Sequence, residues 1–368
     1  MVPEPMQTFL VGGAVRDMLL GRTPREYDYV FSGSLEEFLL RHKTARRAGT
    51  QFSIAIYNGL EFAPMRGKTI HEDLASRDFT VNAMALDADG RLFAHPEALR
   101  DLALHRLSPA SSHALADDPV RLFRAARFTA ALPGFHISAD LKRAMRTEAG
   151  SGKIMDAAPE RIGSEIHKVL HSARPGNFLR TLNEADCLTA WLQEFAPAEE
   201  DAAALHRTAD IMDRAAGVPM AVWMALCHDL NTGATQSPLP AAAPTPVRKQ
   251  PQHHAAAPAA RRFAMRIKAP NSFVRAAEVA ASCHKEGMHY PALKAESRVS
   301  LLMRLHLAAL LDDFFTFILA VTGSDFRRPA AEELDILLRV KLPPDQQGRG
   351  PESGRLLHRM RCEALQSR

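Results

Sequence analysis

Residues 10–31, LVGGAVRDMLLGRTPREYDYVF, restrict this chain more than any other stretch, because an apolar run (residues 8–11) breaks on Gly12-Gly13 before the helical-looking segment 14–20. Glycines at a strand-to-helix turn let backbone N–H groups approach an anion, and the start of the helix adds a favourable potential. Arg16 adds a charge-assisted contact. Glu26 and Asp28 follow at i and i+2 in the strand-like run Glu26-Tyr27-Asp28-Tyr29-Val30-Phe31. Strand period sets both carboxylates on one face, where they suit a shared divalent metal. A Gly-Gly turn by itself is usually only a turn, and neighbouring carboxylates are usually a solvated face. Together and in this order, a phosphate site beside a metal site suggests nucleotidyl transfer.

The chain has 368 residues, enough for two to four compact units with real cores. With 46% hydrophobic and 24% charged residues it reads as soluble and globular. No apolar run reaches membrane-spanning length, and Met1-Val2-Pro3-Glu4-Pro5 lacks the basic and apolar regions of a signal peptide. Cys187, Cys227, Cys283 and Cys362 are scattered without CxxC spacing, the pattern of reduced, cytoplasmic thiols. A net charge of +4 and a pI near 8.9 permit a nucleic-acid partner without demanding one. The basic residues cluster at 41–47, 121–127, 142–146 and 355–361.

The first ninety residues alternate β-like and helical runs. Residues 53–57 and 60–65 read as a hairpin around Asn58-Gly59, and 36–42 and 73–85 as helices. From about residue 95 the pattern is almost wholly helical, with apolar positions at i, i+3, i+4 in 117–132, 138–147, 159–171 and 175–183. Residues 231–260, rich in Ala and Pro, read as a semi-extended linker. Helical texture resumes at 261–267, 273–284, 298–322 and 330–340, and the last twenty residues read as one short helix with a frayed end.

Three more segments join the opening one. They are Arg77-Asp78-Phe79-Thr80-Val81-Asn82-Ala83-Met84-Ala85, the run from Asp117-Asp118-Pro119-Val120-Arg121 through Arg124 to Phe128, and Pro159-Glu160-Arg161-Ile162 before Glu165. With Gly12 to Asp17 they resemble, in order, the motifs of class II tRNA nucleotidyltransferases and bacterial poly(A) polymerases, densely over residues 7–170 and more weakly to about 330. The resemblance implies an α+β chain: a small mixed-sheet head (1–92), then an all-helical neck (93–172), body (173–340, HD-like, with the 231–260 insert) and basic tail (341–368). It implies that Gly12, Gly13 and Arg16 hold the incoming triphosphate, and that Glu26 and Asp28, with Glu61 nearby, bind two Mg2+ ions. It further implies that Arg77 and Asp78 contact ribose and phosphate, that Asp118 and Arg121 read the base edge, and that Arg124 reaches phosphate. CTP and ATP are the implied substrates and the tRNA 3′ acceptor end the partner. Asp78 and Asn82 also suit roles as caps or buried anchors, and Arg124 and Arg127 that of covering an apolar helix with their stems.

The chain departs from the family pattern in three places. Glu26 stands where the family has Asp, and its extra methylene displaces the carboxylate. Only Gly67 and Lys68 separate Arg66 from the segment beginning at Thr69, where CCA-adding members carry a longer loop associated with the switch from C to A; the shortening favours CC addition. In the HD-like body, His228-Asp229, with His206 and Asp325, matches a metal phosphohydrolase set. However, Asn231-Thr232-Gly233 replaces the usual Gly-Lys, His284-Lys285 stands for a further HD, and His253-His254 falls in the linker. Structural histidines are the better reading there. The competing functions are a catalytically reduced RNA- or nucleotide-binding homologue, a poly(A) polymerase and, last, a phosphohydrolase.

Overall fold

The computed structural model describes residues 6–49, 54–188, 191–196, 201, 203–230 and 256–366. Ser53 of the expected hairpin, residues 231–255 of the expected linker, and with them His253-His254, lie outside the described residues. The chain divides into two compact units, one of Met1–Ala125 with Gly134–Ile154, the other of Ala126–Pro133 with Met155–Arg368.

The first unit opens with β1 (Thr8–Val11), α1 (Gly13–Leu19), β2 (Asp28–Phe31), α2 (Leu35–Arg41), β3 (Arg46–Ala48), β4 (Ile54–Tyr57), β5 (Leu60–Pro64), α3 (Ile70–Ala75), β6 (Met84–Leu86) and β7 (Leu92–Ala94). The strands make one mixed sheet in the order β3-β4-β5-β2-β1-β6-β7, with β2 and β5 parallel and the other neighbours antiparallel. Alternation along the strands supplies two apolar faces. Phe9, Val11 and Val30 pack with Ile70 and Leu74 of α3, whereas Phe31 and Phe62 pack with Leu35 and Phe38 of α2. Ser34 starts α2 with a full capping box to Glu37, and the hairpin turns at Asn58-Gly59, both residues at positive φ, as the sequence implies.

The expected helix 73–85 is a correction. Helix α3 ends at Ala75, a 3-10 turn covers Thr80–Asn82, and β6 joins the sheet beside β1. Ala83, Met84 and Ala85 are fully buried, so pairing with β1 outweighs the helical texture of the local residues.

The unit continues through α4 (Ala98–Ala103), β8 (Arg106–Leu107), α5 (Ala114–Asp117), α6 (Arg121–Ala131), β9 (His136–Ile137) and α7 (Ala139–Ser151), with β8 and β9 paired in parallel. The expected helix 117–132 is thus two helices, because Asp118 is extended (φ −151°, ψ 97°) ahead of Pro119, which disfavours helical geometry in the residue before it.

In the second unit α6 is followed by α8 (Pro159–Val169), α9 (Gly176–Glu184), α10 (Ala204–Arg214), α11 (Pro219–Cys227), α12 (Ala256–Arg266), α13 (Asn271–Met288), α14 (Ala295–Ala308), α15 (Leu311–Thr322), α16 (Arg327–Arg339) and α17 (Pro351–Gln366). Helix α11 is apolar all round and buried from Ala221 to Cys227, which makes it the central rod of this unit. Two expectations change. Segment 298–322 is broken at Ala309 (φ 57°), giving α14 and α15, and the C-terminal segment is a sixteen-residue helix rather than a short one. Helix α17 is stabilised by packing on α14 and α16 that its polar sequence does not advertise.

Candidate active site

Strand β1 delivers the chain to Gly12, whose φ of +72° is a left-handed conformation that favours glycine, and whose N–H donates to Met84 O at 3.0 Å. Two guanidinium groups overhang this bare turn. A Cβ on Gly12 would fall 2.9 Å from Arg77 Nη1, and one on Gly13 3.4 Å from Arg16 Nη2. Each arginine is tethered from behind. Arg77 donates from Nε and Nη2 to Asp73 Oδ2 at 3.1 and 2.8 Å. Arg16, itself buried, donates from Nη1 to Asn82 Oδ1 at 2.6 Å and from Nη2 to Asp17 Oδ1 at 2.8 Å. The segment corresponding to the family's loop is closed on itself: Asp73 Oδ1 accepts from Arg66 N at 2.9 Å and Glu72 Oε2 from Lys68 N at 2.8 Å. Gly67 (φ +118°) lies so close to Glu72 that a Cβ would meet Oε2 at 2.6 Å.

Asp28 is the first residue of β2, opposite Val11 on one side and Glu61 on the other. Glu26 is not in the strand, which corrects the expectation that strand period aligns the two carboxylates. The reason lies in register: Val11 is the partner of Asp28, and the chain turns away at Gly12, so no strand remains for Glu26 to pair with. Glu26, Asp28 and Glu61 are all exposed. Although its surface is open, surrounding protein strips some water from Asp28, and this and then the Glu26 charge raise its carboxyl above the ordinary value, while Arg77 pulls it down. Asp28 therefore feels both the neighbouring carboxylate and the arginine of the glycine turn.

Around the start of α6, Asp118 Oδ1 accepts from Val120 N at 3.2 Å, ahead of the first helical turn. Arg121 is buried and clamps backbone: Nη1 donates to Ala114 O at 2.9 Å and Arg77 O at 3.3 Å, and Nη2 to Ser76 O at 3.1 Å. Burial draws its guanidinium below the usual range, opposed by Asp78 and Asp118. Arg124 grips Asp78 Oδ2 through Nε and Nη2 at 2.9 and 2.6 Å, and Asp78 Oδ1 accepts from Phe79 N at 2.8 Å and Asn82 Nδ2 at 3.0 Å. Burial of Asp78 favours its neutral form, yet Arg124 and these hydrogen bonds hold the carboxyl below its ordinary value. Asp78 and Asn82 are thus buried anchors in structural terms. Arg127 is held by Glu165, with Nε 2.6 Å from Oε2, which accounts for the glutamate of the Pro159 segment. The sequence reading missed Asp17 and Asp73, the carboxylates that hold the two arginines. The spacing of Asp73 and Arg77, i and i+4, was the available signal for the second.

In the HD-like body, His228 is buried with Nδ1 2.8 Å from Ala225 O, its ring against His284 and Phe317. Burial pushes it down to about 4 and also lowers His284, whose Nδ1 lies 3.1 Å from Ala280 O. Asp229 and His206 are exposed, and Asp325 pairs with Arg327 at 2.6 Å, which draws its carboxyl down to about 2. Among the described residues no group of three or more His, Cys, Asp or Glu is placed to hold a metal ion, so Glu61 does not join Glu26 and Asp28 in a three-carboxylate set, and His206, His228, Asp229 and Asp325 do not assemble the phosphohydrolase one. Each is satisfied or solvated locally.

A family model for the poly A polymerase head domain matches residues 8–68, and one for a probable RNA and SrmB-binding site of polymerase A matches residues 134–199. The multifunctional CCA protein of Methylococcus capsulatus is 31% identical over 414 residues, spanning 98% of this chain and 94% of its own length. That of Xanthomonas axonopodis is 30% identical over 405 residues, spanning 98% and 91%. Among solved structures, the fold is similar to the Thermotoga maritima CCA-adding enzyme complexed with tRNA (TM-score 0.67, 18% identity, 99% of this chain and 88% of that one). It is also similar to a CCA-adding enzyme in complex with CTP (TM-score 0.66, 18% identity, 98% and 87%). With 31% identity carried across nearly its whole length, the chain belongs to the class II CCA-adding enzyme and poly(A) polymerase family.

Proposed function

We propose that this chain is a template-independent nucleotidyltransferase that adds cytidylate to the 3′ end of tRNA. One observation carries the proposal: two tethered guanidinium groups, of Arg16 and Arg77, overhang the side-chain-free turn Gly12-Gly13 beside Asp28. In this reading the turn and both arginines hold the triphosphate of CTP, and Arg124, one turn after Arg121 in α6, reaches phosphate. Asp118 reads the base edge; Arg121, expected to share that role, is buried and fastens the backbone of Ser76, Arg77 and Ala114. Glu26 and Asp28 are a pair of hard oxygen donors, and the Glu26 charge that raises Asp28 is what a divalent cation would relieve; one or two carboxylates with substrate phosphates are the ordinary Mg2+ ligand set. When bound, such an ion lowers the pKa of a primer 3′-hydroxyl and neutralises the leaving pyrophosphate. Four buried, unbridged cysteines accord with a reducing, cytoplasmic setting.

CC addition is the favoured product. The two-residue link after Arg66 is fastened by Asp73 and Glu72, which leaves little freedom for rearranging the site between C and A. The same constraint weighs against a poly(A) polymerase. The test is incorporation of labelled CTP or ATP, with Mg2+, into tRNAs trimmed to different 3′ ends. Two cytidylates on a tRNA lacking CCA, and none of A on one ending in CC, is the expected result; efficient A addition would sink the CC reading. A second reading, a catalytically reduced binding homologue, is favoured by the place of Glu26 outside β2. No incorporation by the wild type with recovery in Glu26→Asp would establish it.

A further inference from the structure

We infer that Asn82 is a positioning residue that aims Arg16 at the triphosphate, an inference resting on the reading of Gly12-Gly13 as the triphosphate turn. Asn82 closes the 3-10 turn Thr80–Asn82, is buried, and lies 66 residues from Arg16 in sequence. Both ends of its amide are used. Oδ1 accepts from Arg16 Nη1 at 2.6 Å, and Nδ2 donates to Asp78 Oδ1 at 3.0 Å. A guanidinium only donates and a carboxylate only accepts, so one orientation of the amide satisfies both partners. Asp78 Oδ2 in turn takes both bonds from Arg124. A continuous chain of contacts therefore runs Arg124–Asp78–Asn82–Arg16, from α6 to the glycine turn.

The choice of an amide has a chemical reason. A carboxylate at position 82 would also hold Arg16, but it would compete with phosphate for that cation and stand against Asp78. A neutral carbonyl oxygen fixes Nη1 without adding negative charge where the triphosphate binds. Arginine carries considerable rotamer entropy, and fixing it before the ligand arrives removes that cost from binding. The backbone of Asn82 also lies near the turn, its main-chain carbonyl oxygen 3.8 Å from where a Gly12 Cβ would stand.

The test is calorimetric titration of CTP and of CMP into the full chain and its variants. Asn82→Ala is expected to weaken CTP about ten- to a hundredfold, the range for a hydrogen bond to a charged group, and to leave CMP within about twofold. Asn82→Ser, whose hydroxyl satisfies Arg16 or Asp78 but not both, falls between. Thermal melting decides which variant is read: where Asn82→Ala does not melt cooperatively, Asn82→Ser carries the comparison. Equal losses for CTP and CMP, or an unchanged ratio between them, overturn the inference and leave Asn82 a structural anchor. A wild type that binds CTP no better than CMP overturns the triphosphate reading of the turn itself, and the inference with it.

Discussion

The glycine turn of the head and the histidine pair of the body both carry residues typical of a working site, yet they are wired differently. At the turn, Arg16 is held by distant Asn82 as well as by adjacent Asp17, Arg77 is held by Asp73 four residues earlier, and both guanidinium groups overhang a stretch with no side chains. In the body, His228 and His284 each bond a carbonyl of the same helical stretch, Asp325 pairs two residues away, and Asp229 faces solvent. The difference teaches that residue type is a weak sign of chemistry and directed tethering a stronger one. Groups whose partners all lie in their own helix and that face no open turn are spent on local structure, whereas cations set over a bare glycine turn, one of them gripped by a distant residue, are preorganised for a ligand.

Asp28→Asn tests the head most severely. It is expected to lower CMP incorporation by roughly 10³-fold or more, several kcal/mol of transition-state stabilisation, while the melting temperature stays near wild type. A loss under tenfold would remove Asp28 from the metal position. Glu26→Asp sharpens the same region: a shorter carboxylate is expected to raise kcat by on the order of 10²-fold, and no change would mean that Glu26 already reaches its target from the coil.

The body is tested through acid stability. His228 stays neutral when folded, and its folded value, about 4, lies below its ordinary 6.5. The unfolded chain therefore binds the extra proton. The stabilisation from keeping His228 neutral is complete above about 6.5 and is lost as the pH falls toward about 4. The loss is of order 3 kcal/mol. Urea titrations at pH 7 and pH 4 measure it, and in His228→Phe the difference should shrink; an undiminished difference would assign it to other groups. Asp73→Asn removes the charge shared by Arg66 N and Arg77, and is expected to raise KM for CTP about tenfold with a smaller change in kcat. His206→Ala should change incorporation by less than about twofold, and neither it nor the wild type should hydrolyse a phosphodiester with added divalent metal.

Much of the fold was legible. The turn at Gly12, the capping box of α2 and the Asn58-Gly59 hairpin are written in neighbouring residues, because backbone sterics and caps act over a few positions. Strand β6 was hidden inside an apparently helical segment, and Ala309 breaks a helix without glycine or proline to announce it. Strand period pairs Glu26 with Asp28, yet the strand begins two residues after Glu26, since strand length depends on the partner and not on the strand alone.

The sequence by itself determined the family of this chain, the glycine turn and the identity of the ionisable residues, all of which reside in local chemistry and ordered motifs. Only the tertiary structure decided which of those residues meet. It brought Asn82 to Arg16 across 66 positions and Asp78 to Arg124 across 46, and it left His206, His228, Asp229 and Asp325 unassembled as a metal set. Contacts between distant residues depend on how sheet and helices pack around a shared core. That packing is a property of the whole chain, which no single motif contains.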